Sequence, residues 1–75
     1  MKEEEIIELL RKENEEFKKL SEEHRSLDQT LTELDRKAHL TTEEEVERRN
    51  MQKMKLIKKD RMAELVREYK KIHSN

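Results

Sequence analysis

The sequence predicts an all-α fold, an antiparallel two-helix hairpin of the coiled-coil type, with pairing of two hairpins into a four-helix bundle as a further option. Apolar residues of the first half recur at alternating spacings of three and four, and this period of 3.5 places them on one side of a helix. A second apolar line begins near residue 51, displaced by about three residues from the first. Glycine and proline are both absent, which disfavours the tight turns of β-hairpins.

Composition limits the size of the fold. The chain has 75 residues, of which 31% are hydrophobic and 49% are charged. We therefore expect one domain, residues 1–75, with a thin core. Disordered chains can carry a similar charge load, but they lack a sustained apolar period. The composition thus favours a narrow helical assembly.

The first helix is predicted over about residues 3–38. Leu20, Leu27 and Leu34 repeat every seven residues, and Ile6 continues the line upstream. Because the spacing is close to one α-helical turn, these side chains form one narrow seam along a long helix. Such a seam needs an apolar partner.

The first seam ends where continuing the heptad count would place four polar residues in succession. We predict a turn over 39–42 and a second helix over about 43–73. Thr42, which three glutamates follow, fits a capping box, in which the hydroxyl accepts from a free backbone N–H and a glutamate reaches back. Thr41 with Glu44 offers the same arrangement one residue earlier.

Folding the chain about this turn brings the two apolar lines together. Residues whose numbers add up to about 82 then face each other, so that Leu31 meets Met51 and Phe17 meets Leu65. The predicted interaction seam consists of Phe17, Leu20, His24, Leu27, Leu31, Leu34, Met51, Met54, Met62, Leu65 and Tyr69.

Charge supports the same pairing of helices. Residues 1–47 hold 8 Lys/Arg and 16 Asp/Glu, whereas residues 48–75 hold 10 Lys/Arg and 3 Asp/Glu. An acidic helix that lies beside a basic helix is attracted to it along the flanks of the seam. Exposed ion pairs add little stability, so the pattern selects the partner more than it stabilises the pair.

A lone pair of helices buries only one stripe on each, and the gain from burial scarcely exceeds the cost of ordering the backbone. Leu56, Ala63 and Val66 lie away from the seam on the second helix, and Ile7 does so on the first. These side chains are either single exposed apolar residues or a second contact surface for a dimer or another protein. The sequence leaves both alternatives open.

A series of short motifs extends over residues 14–66. They are Phe17 and Leu20 ahead of His24, the pair Leu27 and Asp28, the turn Leu40, Thr41 and Thr42, and the stretch Lys55, Leu56, Lys59 and Asp60. In these motifs the chain resembles the YdcH-like family, small bacterial proteins grouped as a domain of unknown function. The chain departs from the family's pattern at Met51 and Lys58, where leucine is usual. The resemblance implies a helical hairpin and assigns no activity.

His24 occupies a seam position otherwise filled by leucines. Histidine side chains in general titrate near neutral pH, so His24 could act as a polar switch or a ligand at the centre of the hairpin. Alternatively, it is a polar seam residue that fixes the register or the number of partners. His24 and Asp28 can share a helix face, but the Glu-x-x-His pairs of metal-binding bundles are absent, so we expect no metal.

No catalytic site is predicted. The chain has no cysteine and no glycine-rich phosphate loop, and its serines lie in charged surroundings without an orienting triad. We therefore expect neither an enzyme nor a cofactor or small-molecule ligand. The lack of cysteine, of a signal peptide and of a membrane-spanning run favours the cytoplasm.

The predicted function is a protein–protein interaction or structural module that acts through the seam, with itself, as a homo-oligomer, or another helical protein as partner. An accessory nucleic-acid-binding protein is the alternative, because a basic surface can release counterions from phosphate. A net charge of −1 and the scarcity of aromatic residues to stack on bases count against it. The outer face also has no Trp or Phe to insert into a membrane. The basic face, within residues 48–61, consists of Arg48, Arg49, Lys53, Lys55 and Lys59.

Overall fold

The structure, a computed structural model, describes residues 2–73. Its order is α1 (Glu3–Glu13), α2 (Glu15–Asp35) and α3 (Thr42–His73). Within these residues the fold is all-α and has no strand. The described chain measures 52 × 19 × 16 Å. The predicted fold class is therefore confirmed at the level of all-α, whereas the number of helices is three instead of two.

The predicted helix over 3–38 is wrong, because the chain breaks at Asn14. Asn14 has extended backbone angles, φ −109° and ψ 113°, and its side chain accepts a hydrogen bond of 2.9 Å from the backbone N–H of Phe17. Asparagine is a strong N-cap and a poor residue inside a helix. It ends α1 and begins α2 at the same position.

The break changes where α1 lies. In a straight helix with the predicted register, Ile6 would lie about ten residues, or ~15 Å, beyond the level of Leu65 and Val66. Instead Ile6 and Leu10 are buried in one cluster with Phe17, Leu65 and Val66. Glu3 lies 3.8 Å from Lys70, whereas a straight helix in the predicted register would place Glu3 well beyond the level of Lys70. Burial of the apolar side of α1 explains why the chain turns back at this point.

The connection between α2 and α3 is longer than the predicted turn. The first seam helix ends at Asp35, not at residue 38, and α3 begins at Thr42. No described residue has a positive φ, so the left-handed glycine cap that allows short helix connections is not used. The start of α3 follows the earlier of the two capping frames. Thr41 Oγ1 accepts from the N–H of Glu44, and a carboxylate oxygen of Glu44 accepts from the N–H of Thr41.

α2 and α3 lie antiparallel, and over most of their length they keep the register that the sequence predicts. The pairs Asp35–Arg48 at 2.8 Å, Asp28–Lys55 at 2.6 Å and Glu23–Lys58 at 3.0 Å join residues whose numbers add up to 81 or 83. At the far end the register shifts, because Glu16 and Arg61, whose numbers add up to 77, form the next pair. Lys37, in the connection, pairs with Glu44.

The core is concentrated at the end of the molecule opposite the turn. Phe17, 1% exposed, and Ile6, 2% exposed, are the most deeply buried large side chains. Leu20, Met62 and Tyr69 pack against their cluster. Near the turn only Leu31 and Leu34 are buried. The middle of the predicted seam is therefore its least buried part.

Candidate interaction surfaces

The interaction seam is used mainly inside the chain. Most of its members face another helix of the same molecule, which covers them partly or fully. Met54 is the exception, since it is about half exposed. The buried members are Phe17, Leu31, Leu34 and Leu65, and the half-buried members are Leu20, His24, Leu27, Met51, Met62 and Tyr69.

This placement separates two roles that the sequence analysis gave to the same residues. A side chain packed against its own chain stabilises the fold, but it offers little surface to a second molecule. The seam therefore holds the helices together, and any contact with a partner needs apolar side chains that the chain itself leaves exposed.

An exposed apolar face lies on α3 along one flank of the seam, and it includes the exposed seam residue Met54. It consists of Val46, Met54 and Ile57. Spacings of eight and three residues place these side chains within an arc of roughly 80°. Val46 and Met54 are about half exposed, and Ile57 is 68% exposed. Clustered exposed apolar side chains mark interaction sites more often than single ones.

Sequence reasoning missed two members of this face. Met54 was assigned to the seam, and Val46 and Ile57 were not singled out. Val46 and Ile57 are eleven residues apart, close to three helical turns. That spacing was the available signal, but charged and polar residues between them weaken it.

The proposed second contact surface of Leu56, Ala63 and Val66 is divided by α1. Val66 is 6% exposed, because it is packed in the cluster with Ile6 and Leu10. Leu56 is 57% exposed, and Ala63 is exposed as well. Of the two alternatives that the sequence leaves open, single exposed residues or a second contact surface, neither holds for Val66, because α1 covers it within the chain.

A groove of about 560 Å³ runs beside Val66, between α2 and α3 and next to α1. His24 and Asp28 contribute to it from α2, and Lys55 and Leu56 contribute from α3. The Nε2 atom of His24 is buried and has no hydrogen-bond partner among the described residues. The hydrogen bond from Lys55 to Asp28 lowers the pKa of that carboxyl, and the charges of Lys55 and His24 add to the effect.

We expect His24→Leu to raise the melting temperature by several degrees. A buried polar atom without a partner costs about 1–3 kcal/mol, and leucine is the residue that the neighbouring seam positions carry. Thermal unfolding followed by circular dichroism at pH 7 measures the change. Gln29→Leu is a suitable control, because Gln29 is exposed on the same helix. A melting temperature lowered by His24→Leu would instead point to a polar partner for the imidazole.

Two residues of the basic face are engaged with α2. Arg48 donates to Asp35 at 2.8 Å, and Lys55 donates to Asp28 at 2.6 Å. The other three members, Arg49, Lys53 and Lys59, are exposed. The basic face is thus partly a flank that pairs with the acidic helix.

Ion pairs on the opposite flank involve the acidic helix in the same way. Arg61 donates two hydrogen bonds to Glu16, at 2.8 and 3.0 Å. This contact lowers the pKa of Glu16 and, together with a hydrogen bond to Glu64, raises the pKa of Arg61. At the turn, Lys37 and the backbone of Thr41 lower the pKa of Glu44. Ion pairs thus join α2 to α3 both near the turn and near the opposite end of the pair.

Among residues 2–73, no three His, Cys, Asp or Glu side chains come close enough to hold a metal ion. Over the same range, none of the helices has the length and apolar character that crossing a membrane requires.

Comparison of the chain with models of protein families, with curated proteins and with solved structures gives no significant match. The resemblance to the YdcH-like family therefore stays a hypothesis.

Proposed function

We propose that the protein is a protein–protein interaction module that binds a second copy of itself through the exposed apolar face, so that two molecules form a helical bundle. The observation that carries the proposal is the exposure of Val46, Met54 and Ile57 on one side of α3, beside the buried part of the seam. Covering them on association removes apolar surface from water, which is the main driving force for such contacts.

The small size of the core supports the proposal that the chain makes further contacts with a second molecule. Seven apolar residues are buried among those described, and few of them lie in the middle of the molecule, where Met54 and Ile57 are exposed. A thin helical assembly of this size gains little from its own core. A second copy would cover the part of α3 that the chain itself leaves open.

The same proposal places the protein in the cytoplasm and in the YdcH-like family. The lack of cysteine supports a reducing compartment, and the antiparallel α2–α3 pair is compatible with the helical hairpin that the family implies. Nucleic acid binding remains the alternative, but it has less support because Arg48 and Lys55 pair with carboxylates of α2.

We expect the double variant M54E/I57E to weaken self-association by at least about tenfold, because each buried apolar side chain contributes roughly 1.5–3 kcal/mol. Light-scattering mass across a dilution series measures the dissociation constant. Leu56→Glu is the matched control, since Leu56 is exposed on another side of the same helix. Equal weakening by the control, or a parent chain that stays monomeric throughout the series, would contradict the proposal.

A further inference from the structure

α1 is joined to α2 through a single residue that is not helical. The backbone N–H of Asn14 donates to the carbonyl of Leu10 at 2.8 Å, and the carbonyl of Asn14 accepts from Lys18 at 3.0 Å. Hydrogen bonds of the helical type thus continue on both sides of the break. Only the first N–H groups of α2 lack helical acceptors, and the side chain of Asn14 satisfies the one of Phe17.

The apolar pattern runs through the same position without a change of phase. Leu10 and Phe17 are seven residues apart, and Leu20 follows three residues later. The pattern is therefore compatible with one continuous helix from α1 to α2, as well as with the broken form. In their backbone hydrogen bonds the two forms differ at Asn14. The side-chain cap of Asn14 stabilises the break, whereas a straight helix regains the missing backbone bonds.

Straightening at Asn14 would expose two complementary surfaces. Ile6 would move ~15 Å from the level of Leu65 and Val66, and the apolar side of α1 would lose its cover. The region of α3 that α1 leaves would lose its cover as well. This same region is already shaped to receive α1, so a second molecule in the straight form offers each α1 an equivalent place.

We propose that the region of α3 around Leu65 and Val66 is an exchange interface that takes α1 of a second copy. In the exchanged dimer, α1 and α2 of each chain form one continuous helix, and the α1 segment packs on α3 of the other chain. The contacts that α1 makes with α3 in the closed form recur between chains, including the pair Glu3–Lys70. The interface lies apart from the exposed apolar face, so the inference does not rest on the proposed function.

The first experiment compares two substitutions at the junction. Asn14→Leu removes the cap and favours a continuous helix, whereas Asn14→Asp keeps a capping oxygen. We expect Asn14→Leu to tighten dimerisation by about tenfold or more relative to Asn14→Asp. Light-scattering mass over a concentration series measures both dissociation constants, and circular dichroism reports helix content. Equal dissociation constants for the two variants would overturn the proposal.

The second experiment locates the contact. The chain has no cysteine, so the variant E3C/K70C can be joined specifically with a short bis-maleimide. In the closed form the cross-link lies within one chain, and in the exchanged dimer it joins two chains and doubles the mass on a denaturing gel. With Asn14→Leu added, we expect between-chain links to predominate. Links only within chains, in a sample that is dimeric by light scattering, would overturn the proposal.

The parent sequence provides a test that does not depend on the Asn14 variants. E3C/K70C without further changes should show a between-chain fraction that rises with protein concentration up to about 1 mM. The same measurement in the M54E/I57E background separates the two kinds of association, because those substitutions leave the exchange interface intact. A purely within-chain product at every concentration, in both backgrounds, would overturn the exchange and leave the proposed function untouched.

Discussion

Replacing Phe17 by alanine is expected to lower the free energy of unfolding by about 3–5 kcal/mol, the cost of removing a large aromatic side chain from a core. Phe17 is 1% exposed and belongs to the cluster that joins all three helices. A chain of this length has a total stability of roughly 4–11 kcal/mol. The substitution therefore removes a large share of the stability, and we expect partial unfolding at physiological temperature.

Urea denaturation followed by circular dichroism gives the free energy of the parent and the variant. Ile72→Ala is the matched control, because Ile72 is largely exposed near the same end of the molecule and should change the stability by no more than about 0.5 kcal/mol. A loss of less than ~1 kcal/mol on Phe17→Ala would show that the cluster is not the core of the folded chain.

Substituting Val66 by glutamate is expected to destabilise the chain by several kcal/mol, because a charge would be placed without a partner beneath α1. Val66 is 6% exposed, whereas Leu56, ten residues earlier on α3, is 57% exposed. Leu56→Glu should therefore be nearly neutral. The contrast follows from the position of α1, which covers Val66 and leaves Leu56 exposed.

Hydrogen exchange of the α1 amides adds a local measurement to the unfolding curves. We expect Val66→Glu to reduce protection of the Ile6–Leu10 segment more than that of α2, because α1 loses its apolar contact on α3. Equal effects of Val66→Glu and Leu56→Glu on stability and on exchange would mean that α1 does not cover this part of α3.

Much of the arrangement of α2 and α3 could be predicted from local chemistry. The threonines and glutamates after residue 40 gave the start of α3, although the frame used is that of Thr41 and Glu44. The apolar spacing and the opposite charges of the two halves gave the register. These signals act between neighbouring residues or repeat along a helix, so they can be read before the fold is known.

The break at Asn14 could not be predicted in the same way. The apolar repeat continues through it, and asparagine is tolerated inside a helix at a modest cost. What favours the break is the burial of Ile6 and Leu10 against Leu65 and Val66, residues more than fifty positions away. The candidate surface on α3 depends on the same event, because α1 decides which apolar residues are covered.

The ion pairs between α2 and α3 are unevenly spaced, and this spacing restricts the alignments that the two helices can adopt. On α2 the partners Glu23, Asp28 and Asp35 are five and seven residues apart. Leucines that repeat every seven residues would tolerate a slide of one heptad, but after such a slide at most one of these three carboxylates would still meet a cation. The apolar repeat thus allows several alignments, and the irregular charges select one of them.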